Sequence, residues 1–231
     1  MTGGGELAII ILSLKVAATA MVVTLPFAFF VAYALARWRF RGRGLLQAVT
    51  TLPLVLPPVV TGYALLVLFG ANGPLGWLFR ETIGLEFAFR WTGAALAASV
   101  MAFPLLVRPI RLSLEAIDPG LEEAAETLGA SRLRILATVT LPLALPGVLA
   151  GVILGFAKAL GEFGATITFV SNIPGQTRTL SLAIYSFLQS PTGDAAALRL
   201  IGFSVFLAIV AIIGSEWIAT RLSRNGKSRN G

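Results

Sequence analysis

Long apolar stretches separated by short polar segments dominate the pattern along this chain. Five of them approach or exceed the about 20 residues that a helix needs to cross a lipid bilayer. They span residues 8–36, 45–69, 92–107, 141–161 and 198–218. The pattern therefore predicts an all-α integral membrane protein with about five transmembrane helices, folded as one domain over residues 1–231.

Residues 163–190 leave a sixth span possible. Their apolar residues form two short pieces on either side of "SNIPGQTR", and each piece is too short to cross a membrane alone. Irregular backbone is tolerated at membrane depth only where protein or a water-filled cavity surrounds it. We therefore expect a re-entrant or interfacial loop here. The first stretch lacks the positive start of a signal peptide, so it is predicted to remain as a span.

The charges between the stretches predict the direction of each span. If five spans alternate, one side of the membrane receives Arg37, Arg39, Arg41, Arg43, Arg108, Arg111, Arg132, Arg134, Arg221, Arg224, Lys227 and Arg229. The other side receives only Arg80, Arg90, Arg178 and Arg199. Cytoplasmic loops are rich in Lys and Arg, so the N-terminus is predicted outside and the C-terminus in the cytoplasm. The cluster "RWRFRGRG" is interpreted as an anchor at the lipid headgroups, with a specific anionic-lipid site as the alternative. No nucleic-acid partner is expected.

Composition excludes several kinds of site. The chain is 56% hydrophobic and 13% charged, and it contains no cysteine and no histidine. Thiolate metal sites and cysteine nucleophiles are thereby ruled out, and the commonest general base and metal ligand is missing. We therefore predict no catalytic site and no metal site.

One polar segment, residues 118–135, stands out between the third and fourth stretches. Asp118 and Pro119 predict a helix start, as N-cap and first helical residue. Early acidic residues suit the helix dipole, and Gly129 offers a stop. The acidic residues are Glu122, Glu123 and Glu126, and the small apolar face consists of Leu121, Ala124, Ala125 and Leu128. The segment is predicted to lie as a short helix across the cytoplasmic end of the spans, with an ordinary amphipathic loop helix as the alternative.

The spacing in this segment resembles the EAA loop of the membrane subunits of binding-protein-dependent ABC importers. That pattern is Glu-Ala-Ala, three residues, Gly, nine residues, Ile, one residue and Leu-Pro. The matching residues here are Glu123, Ala124, Ala125, Gly129, Val139, Leu141 and Pro142, with Val139 in place of the usual isoleucine. The resemblance implies a type I ABC importer-like fold, in which this cytoplasmic coupling helix, with Glu122 beside the motif, docks on the ATP-hydrolysing subunit.

The chain has no ATP site of its own that the sequence can identify. A phosphate-binding loop needs a first glycine that is separated by four residues from Gly-Lys-Ser/Thr. The match "NGKS" at residues 225–228 has Arg221 in that position. Residues 224–231 are instead predicted to be a disordered cytoplasmic tail. We therefore expect no enzyme activity and no bound cofactor in this chain, with ATP and magnesium on a partner subunit.

Three further stretches resemble molybdate-transporting permeases of this family. They are "LPPVVTGY", "GEFGATITFVSNIPG" and "SEWIA". Sulfate-type permeases share a related Gly-Glu-Phe/Tyr-Gly element, but the longer "TFVSNIPGQTRTL" favours molybdate, with tungstate carried by the same chemistry. The resemblance implies a homodimer in the bacterial inner membrane, two ATP-binding subunits on the cytoplasmic face, an extracytoplasmic oxyanion-binding protein and transport by alternating access.

Polar and proline positions within the apolar stretches are candidates for the translocation path. They are Pro57, Pro58, Thr61, Tyr63, Lys158, Glu162 and Asn172. Prolines inside a span break backbone hydrogen bonds, which serves either packing or a path. Lys158 and Glu162, four residues apart, can instead form a structural ion pair at the external membrane boundary. Lys15 can extend outward to the membrane surface.

Three alternative functions remain at this point. A stand-alone secondary transporter or channel would need paired repeats or a network of intramembrane acids, and neither is visible. An intramembrane enzyme would have to rely on Lys158 and Glu162 alone. A sulfate or other oxyanion permease of the same family is the nearer alternative.

Overall fold

Helices account for most of the chain in the structure, a computed structural model that describes the backbone of residues 3–227 and the side chains of residues 5–210 and 212–214. The helices are α1 Gly3–Arg37, α2 Arg43–Val55, α3 Pro58–Phe69, α4 Pro74–Ile83, α5 Trp91–Glu115, α6 Pro119–Thr127, α7 Arg132–Ile135, α8 Leu141–Leu160, α9 Gly164–Val170, α10 Leu180–Leu188 and α11 Asp194–Lys227. A π-helical segment, Leu136–Thr140, joins α7 to α8. The prediction of an all-α fold is confirmed.

Four of the described helices are long and apolar enough to cross a membrane, namely those at Gly5–Arg37, Trp91–Glu115, Arg132–Leu160 and Asp194–Gly214. A fifth span exists if α2 and α3 are taken together. This confirms the prediction of about five spans. Over residues 163–190 the structure has only α9 and α10, of 7 and 9 residues, so this region contributes no sixth span.

The second predicted stretch is not one straight helix. α2 and α3 meet at an angle of 114° around Leu56 and Pro57. Leu56 has extended backbone angles (φ −71°, ψ 143°), the conformation favoured for a residue that precedes proline. Pro57 precedes a second proline, Pro58, and is likewise outside the helical region. The consecutive prolines thus end one helix and begin the next.

The third and fourth predicted spans were too short. α5 continues past Val107 through Arg108 and Arg111 to Glu115, and the fourth candidate span begins at Arg132. The length of an apolar stretch indicates only the part of a helix that is suited to lipid. The hydrogen-bonded helix can continue through arginines, because their apolar stems can lie along its surface while their charges reach water. The helices therefore extend beyond the apolar core of each span.

α5 packs against α1 and α8 in the core of the bundle. On α8 the contact surface is a row of glycines at four-residue spacing, Gly147, Gly151 and Gly155. A Cβ atom on Gly151 would lie 3.0 Å from the carbonyl oxygen of Leu106. Small residues let membrane helices approach this closely and replace the hydrophobic effect by close packing.

Polar contacts mark the two ends of the bundle. At one end, the carboxylate of Glu6, near the start of α1, forms a bidentate ion pair with Arg199, near the start of α11. The distance from Arg199 Nη2 to Glu6 Oε1 is 2.6 Å. At the opposite end, Arg37 closes α1 beside α6. The N-terminal end of α1 and the predicted coupling helix thus lie at opposite ends of the bundle. Of the predicted disordered tail, residues 224–227 belong to the end of α11, and residues 228–231 lie outside the described residues.

Candidate functional site

The polar segment 118–135 begins as the sequence predicts. The Asp118 carboxylate accepts a hydrogen bond of 2.9 Å from the N–H of Gly120, and Pro119 is the first residue of α6. The cap satisfies one of the free amides at the helix start, and proline has no amide to satisfy. The predicted helix start is therefore confirmed.

Gly129 ends α6 through a Schellman motif. Its N–H donates to the carbonyl of Glu126 at 2.9 Å, and the N–H of Ala130 donates to the carbonyl of Ala125 at 3.1 Å. Gly129 adopts φ +82°, a left-handed conformation that residues with a Cβ atom rarely adopt. The short helix is thus closed at both ends by its own sequence.

Glu122 faces the bundle and connects three elements. Its Oε1 atom accepts a hydrogen bond of 3.0 Å from Arg37 Nη2 at the end of α1. The same oxygen accepts a hydrogen bond of 2.7 Å from Thr140 Oγ1, in the last residue of the π-helical segment. In the sequence Arg37 is only one of the charges that predict topology, and no local signal links residues 85 positions apart.

The rest of α6 is open to the surroundings. Glu123 and Ala124 are exposed, whereas Ala125 is half-buried. Leu121, Leu128 and Leu133 are also exposed, with Leu128 at 89%. Exposed large apolar side chains grouped beside charged ones are typical of a contact surface. Glu123 and Glu126 also line a cavity at this end of the bundle, together with Glu122 and Arg37.

The second half of the motif lies in the π-helical segment and the first turn of α8. Val139 is in the segment, and the N–H of Leu141 donates to the carbonyl of Leu136, five residues back. Pro142 follows at once, and a proline ring crowds the carbonyl four residues before it, here that of Thr138. The wider turn gives that ring room, so the helix passes Pro142 without a break.

Lys158 and Glu162 form the predicted ion pair where α8 ends. Lys158 Nζ donates to Glu162 Oε2 at 2.6 Å, and the N–H of Ala165 in α9 donates to Glu162 Oε1 at 3.0 Å. Glu162 is 2% exposed and Lys158 is 30% exposed. The carboxylate therefore joins the end of α8 to the start of α9.

The beginning of α3 packs on the beginning of α9, beside this pair. A Cβ atom on Gly164 would lie 2.7 Å from Pro58 Cβ, and one on Gly62 would lie 2.5 Å from the carbonyl oxygen of Ala165. Thr61, next to Gly62, is 7% exposed. The structure thus brings Pro57, Pro58, Thr61, Lys158 and Glu162 to one region, around the start of α9.

The two other path candidates lie apart from this region. Tyr63 is 62% exposed on the surface of α3. Asn172 follows the opposite end of α9, where its amide donates to Ser186 Oγ and its Oδ1 accepts from Arg178 Nε at 3.0 Å. Their assignment to the path stays a prediction, as does that of the five residues around α9.

Lys15 does not simply extend to the membrane surface. Its Nζ atom lies 3.6 Å from the centre of the Trp91 ring, at the first residue of α5. A cation over an aromatic face gains electrostatic energy from the ring. Lys15 is therefore held against α5, and it is not a member of the group around α9.

Comparison with known proteins adds to this geometry. Residues 24–224 match the family described as binding-protein-dependent transport system inner membrane component. The molybdenum transport system permease protein ModB of Haemophilus influenzae is 55% identical over 219 residues, which covers 95% of this chain and 96% of that protein. The sulfate transport system permease protein CysT of Salmonella typhimurium is 40% identical over 184 residues, covering 78% of this chain and 66% of that protein.

A solved structure has the same fold. The structure is of a bacterial ABC transporter involved in the import of the acidic polysaccharide alginate, and one of its chains superimposes with a TM-score of 0.72. The match covers 94% of this chain and 79% of that chain at 18% identity. At that identity the similarity establishes the fold alone. The importer-like fold predicted from the sequence is thereby confirmed.

Proposed function

This chain belongs to the family of binding-protein-dependent transport system inner membrane components, and on that premise we propose that it is the membrane-spanning permease subunit of an ATP-driven molybdate importer. It is a multi-pass protein of the inner membrane. The observation that carries the proposal is the EAA-type segment, folded as a capped helix at one end of the bundle with its motif glutamate exposed.

The exposed side of α6 is the surface where a separate ATP-hydrolysing subunit would dock. Glu123 can pair with a basic partner, and the exposed Leu121 and Leu128 can bury apolar area against it. Small residues such as Ala124 allow close approach. ATP and magnesium would then be bound by that subunit, and this chain would receive only the movement that hydrolysis drives.

The proposed orientation is supported by the positions of α6 and of the start of α1. If α6 is cytoplasmic, the start of α1 is outside, because the two lie at opposite ends. The positive charges of the sequence favour the same direction. We assign two copies of this chain to one transporter, with the path between them, two ATP-binding subunits inside and one oxyanion-binding protein outside.

Molybdate is the proposed substrate, and tungstate shares its chemistry. The support is the higher identity, over a larger share of both chains, to the molybdenum permease than to the sulfate permease. A tetrahedral dianion has to avoid lipid, so the path needs polar groups. Lys158, Glu162 and Thr61 are the polar groups that we assign to it near the start of α9.

Alternating access describes how the subunit would work. The path opens to one side at a time, and each ligand acts by favouring one of two states. Binding of ATP would draw the two coupling helices together and open the path outward. Hydrolysis and product release would return it inward.

Uptake of labelled molybdate tests the proposal. The recipient is a bacterial strain that lacks its own permease but retains the ATPase and the binding protein, with and without this chain. We expect this chain to restore uptake, excess tungstate to block it and excess sulfate to leave it unchanged. Restored uptake of sulfate but not of molybdate would overturn the choice of substrate. No uptake of either, with the chain present in the membrane, would overturn the importer assignment.

A further inference from the structure

Two adjacent glutamates on α6 have different surroundings. Glu123 matches the motif glutamate and is exposed. Glu122 is turned towards the bundle, with 22% of its side chain exposed, and its Oε1 atom is bonded to both Arg37 and Thr140. Consecutive residues of a helix point about 100° apart, so one short helix can contact a partner on one side and its own bundle on the other.

The guanidinium group of Arg37 is engaged in this contact. It lies in the last turn of α1, where a cation is favoured by the helix dipole, and 17% of its side chain is exposed. The Nε atom is buried and has no partner among the described residues. Glu122 is the only carboxylate within ion-pair distance of Arg37 in the described part of the chain. The end of α1 is therefore connected to α6 by one charged hydrogen bond.

Thr140 connects the same oxygen to α8. It is 1% exposed and is the last residue of the π-helical segment. Such wide turns are rare inside helices and recur at functional sites. The contact from α6 is therefore made at the wide turn that leads into α8.

We propose that Glu122, through Arg37 and Thr140, is the positioning residue that transmits the movement of the coupling helix to α1 and α8. The inference rests on the proposed function and assigns separate tasks to the two glutamates. Glu123 belongs to the surface that binds the ATPase. Glu122 converts the movement of that surface into movement of the spans, because one carboxylate oxygen holds both helices.

The test uses the full complex of permease, ATPase and molybdate-loaded binding protein in proteoliposomes. Three quantities are measured: ATPase retained by the permease on purification, ATP hydrolysis stimulated by the loaded binding protein, and molybdate imported per ATP hydrolysed. We expect Glu122→Ala and Arg37→Glu to retain the ATPase but to lower molybdate imported per ATP by about tenfold, a usual size for coupling between sites. Glu123→Arg should instead lose the ATPase.

A charge exchange separates transmission from simple loss of structure. The double variant Arg37→Glu with Glu122→Arg restores an ion pair between α1 and α6, so it should recover part of the import per ATP that either single change loses. Thr140→Val, which removes only the hydroxyl group, should lower import per ATP without affecting the Arg37 contact. If a single variant fails to assemble, the exchange and Thr140→Val still provide the measurement.

Glu115→Ala is the matched control. Glu115 lies at the same end of the bundle and pairs with Arg111 of α5 at 2.8 Å and with Arg43 at the start of α2 at 3.8 Å. Among the described residues, its ion pairs reach neither α6 nor α8. Its import per ATP should equal that of the unchanged complex. Normal import per ATP in Glu122→Ala, or loss of the ATPase equal to that of Glu123→Arg, would overturn the inference. An unchanged complex that imports no molybdate would instead overturn the proposed function.

Discussion

The ammonium of Lys158 lies 2.6 Å from the carboxylate of Glu162, which is almost completely buried. The sequence suggested the external membrane boundary for this pair, and that location stays a prediction. The pair lies about one helical turn beyond Gly155, which packs against Leu106 and Met21 well inside α5 and α1. From there α9 continues to Val170, which contacts the beginning of α5 at Gly93. The charges are therefore inside the bundle, where ionisable groups are costly and are kept for a purpose.

Removal of only one partner of this pair should be harmful. Lys158→Met leaves the buried Glu162 carboxylate without its cation. Breaking a fully buried pair costs about 3–5 kcal/mol, and the partial exposure of Lys158 should make the cost smaller here. We expect a lower melting temperature of the purified permease in detergent and less protein in the membrane.

The double variant Lys158→Met with Glu162→Gln is the control for this prediction. It removes both charges, while the glutamine oxygen can still accept from the N–H of Ala165. Its melting temperature should return towards that of the unchanged protein. If its molybdate uptake remains low at normal stability, the charges act in transport. A melting temperature of Lys158→Met equal to that of the unchanged protein would contradict the prediction.

Close packing between α5 and α8 should make Gly147 intolerant of a methyl group. In Gly147→Ala the new Cβ would lie 2.4 Å from Ser113 Cβ and 2.5 Å from the carbonyl oxygen of Pro109. The helices would have to separate, at a cost of about 1–3 kcal/mol. Thermal unfolding in detergent measures the effect.

Gly202→Ala is the matched control, because a Cβ atom there meets nothing within 4 Å. Alanine in a helix is more favourable than glycine by about 0.5–1 kcal/mol, so this variant should unfold at an equal or higher temperature. Equal melting temperatures for Gly147→Ala and the unchanged protein would show that the helices can adjust.

Local signals in the sequence were sufficient for the coupling segment. Asp118 and Pro119 start α6 and Gly129 ends it, since caps and left-handed turns depend on a few neighbouring residues. The same signals occur at α4, which sequence analysis missed: Pro74 is its first residue and Gly84 its left-handed stop at φ +66°. The length of apolar stretches does not indicate α4, because this helix has only 10 residues and lies between spans.

Contacts between distant parts of the chain could not be predicted in this way. The sequence marks a break at Pro57 but not its angle, because the angle depends on how α3 packs against α9. Likewise Glu122 and Arg37 are ordinary charges until the fold brings them together. The π-helical turn before Pro142 gives the proline ring room while the helix continues. The hydropathy of the sequence does not predict such a turn.

The left-handed turn at Gly129 should be required for docking but not for the spans. Valine at φ +82° costs about 1–2 kcal/mol and disrupts the Schellman motif that sets where α6 ends. We expect Gly129→Val to reach the membrane with unchanged helix content by circular dichroism and to lose ATPase on purification. Gly129→Asn is the control, because asparagine tolerates this conformation and should retain the ATPase. Full retention by the valine variant would count against the assigned docking role.

Replacing Thr61 by valine should raise the stability of the permease and lower its transport of molybdate. Its Oγ1 atom is buried and has no partner among the described residues, and an unsatisfied hydroxyl costs about 1–3 kcal/mol. Thr61→Val keeps the shape without the hydroxyl, so the melting temperature should rise. If the hydroxyl serves the path in another conformational state, as proposed, molybdate uptake should fall. Tyr63→Phe, which alters an exposed side chain on the same helix, should leave the melting temperature unchanged. A stabilised Thr61→Val with normal uptake would remove Thr61 from the path and make it a packing residue between α3 and α9.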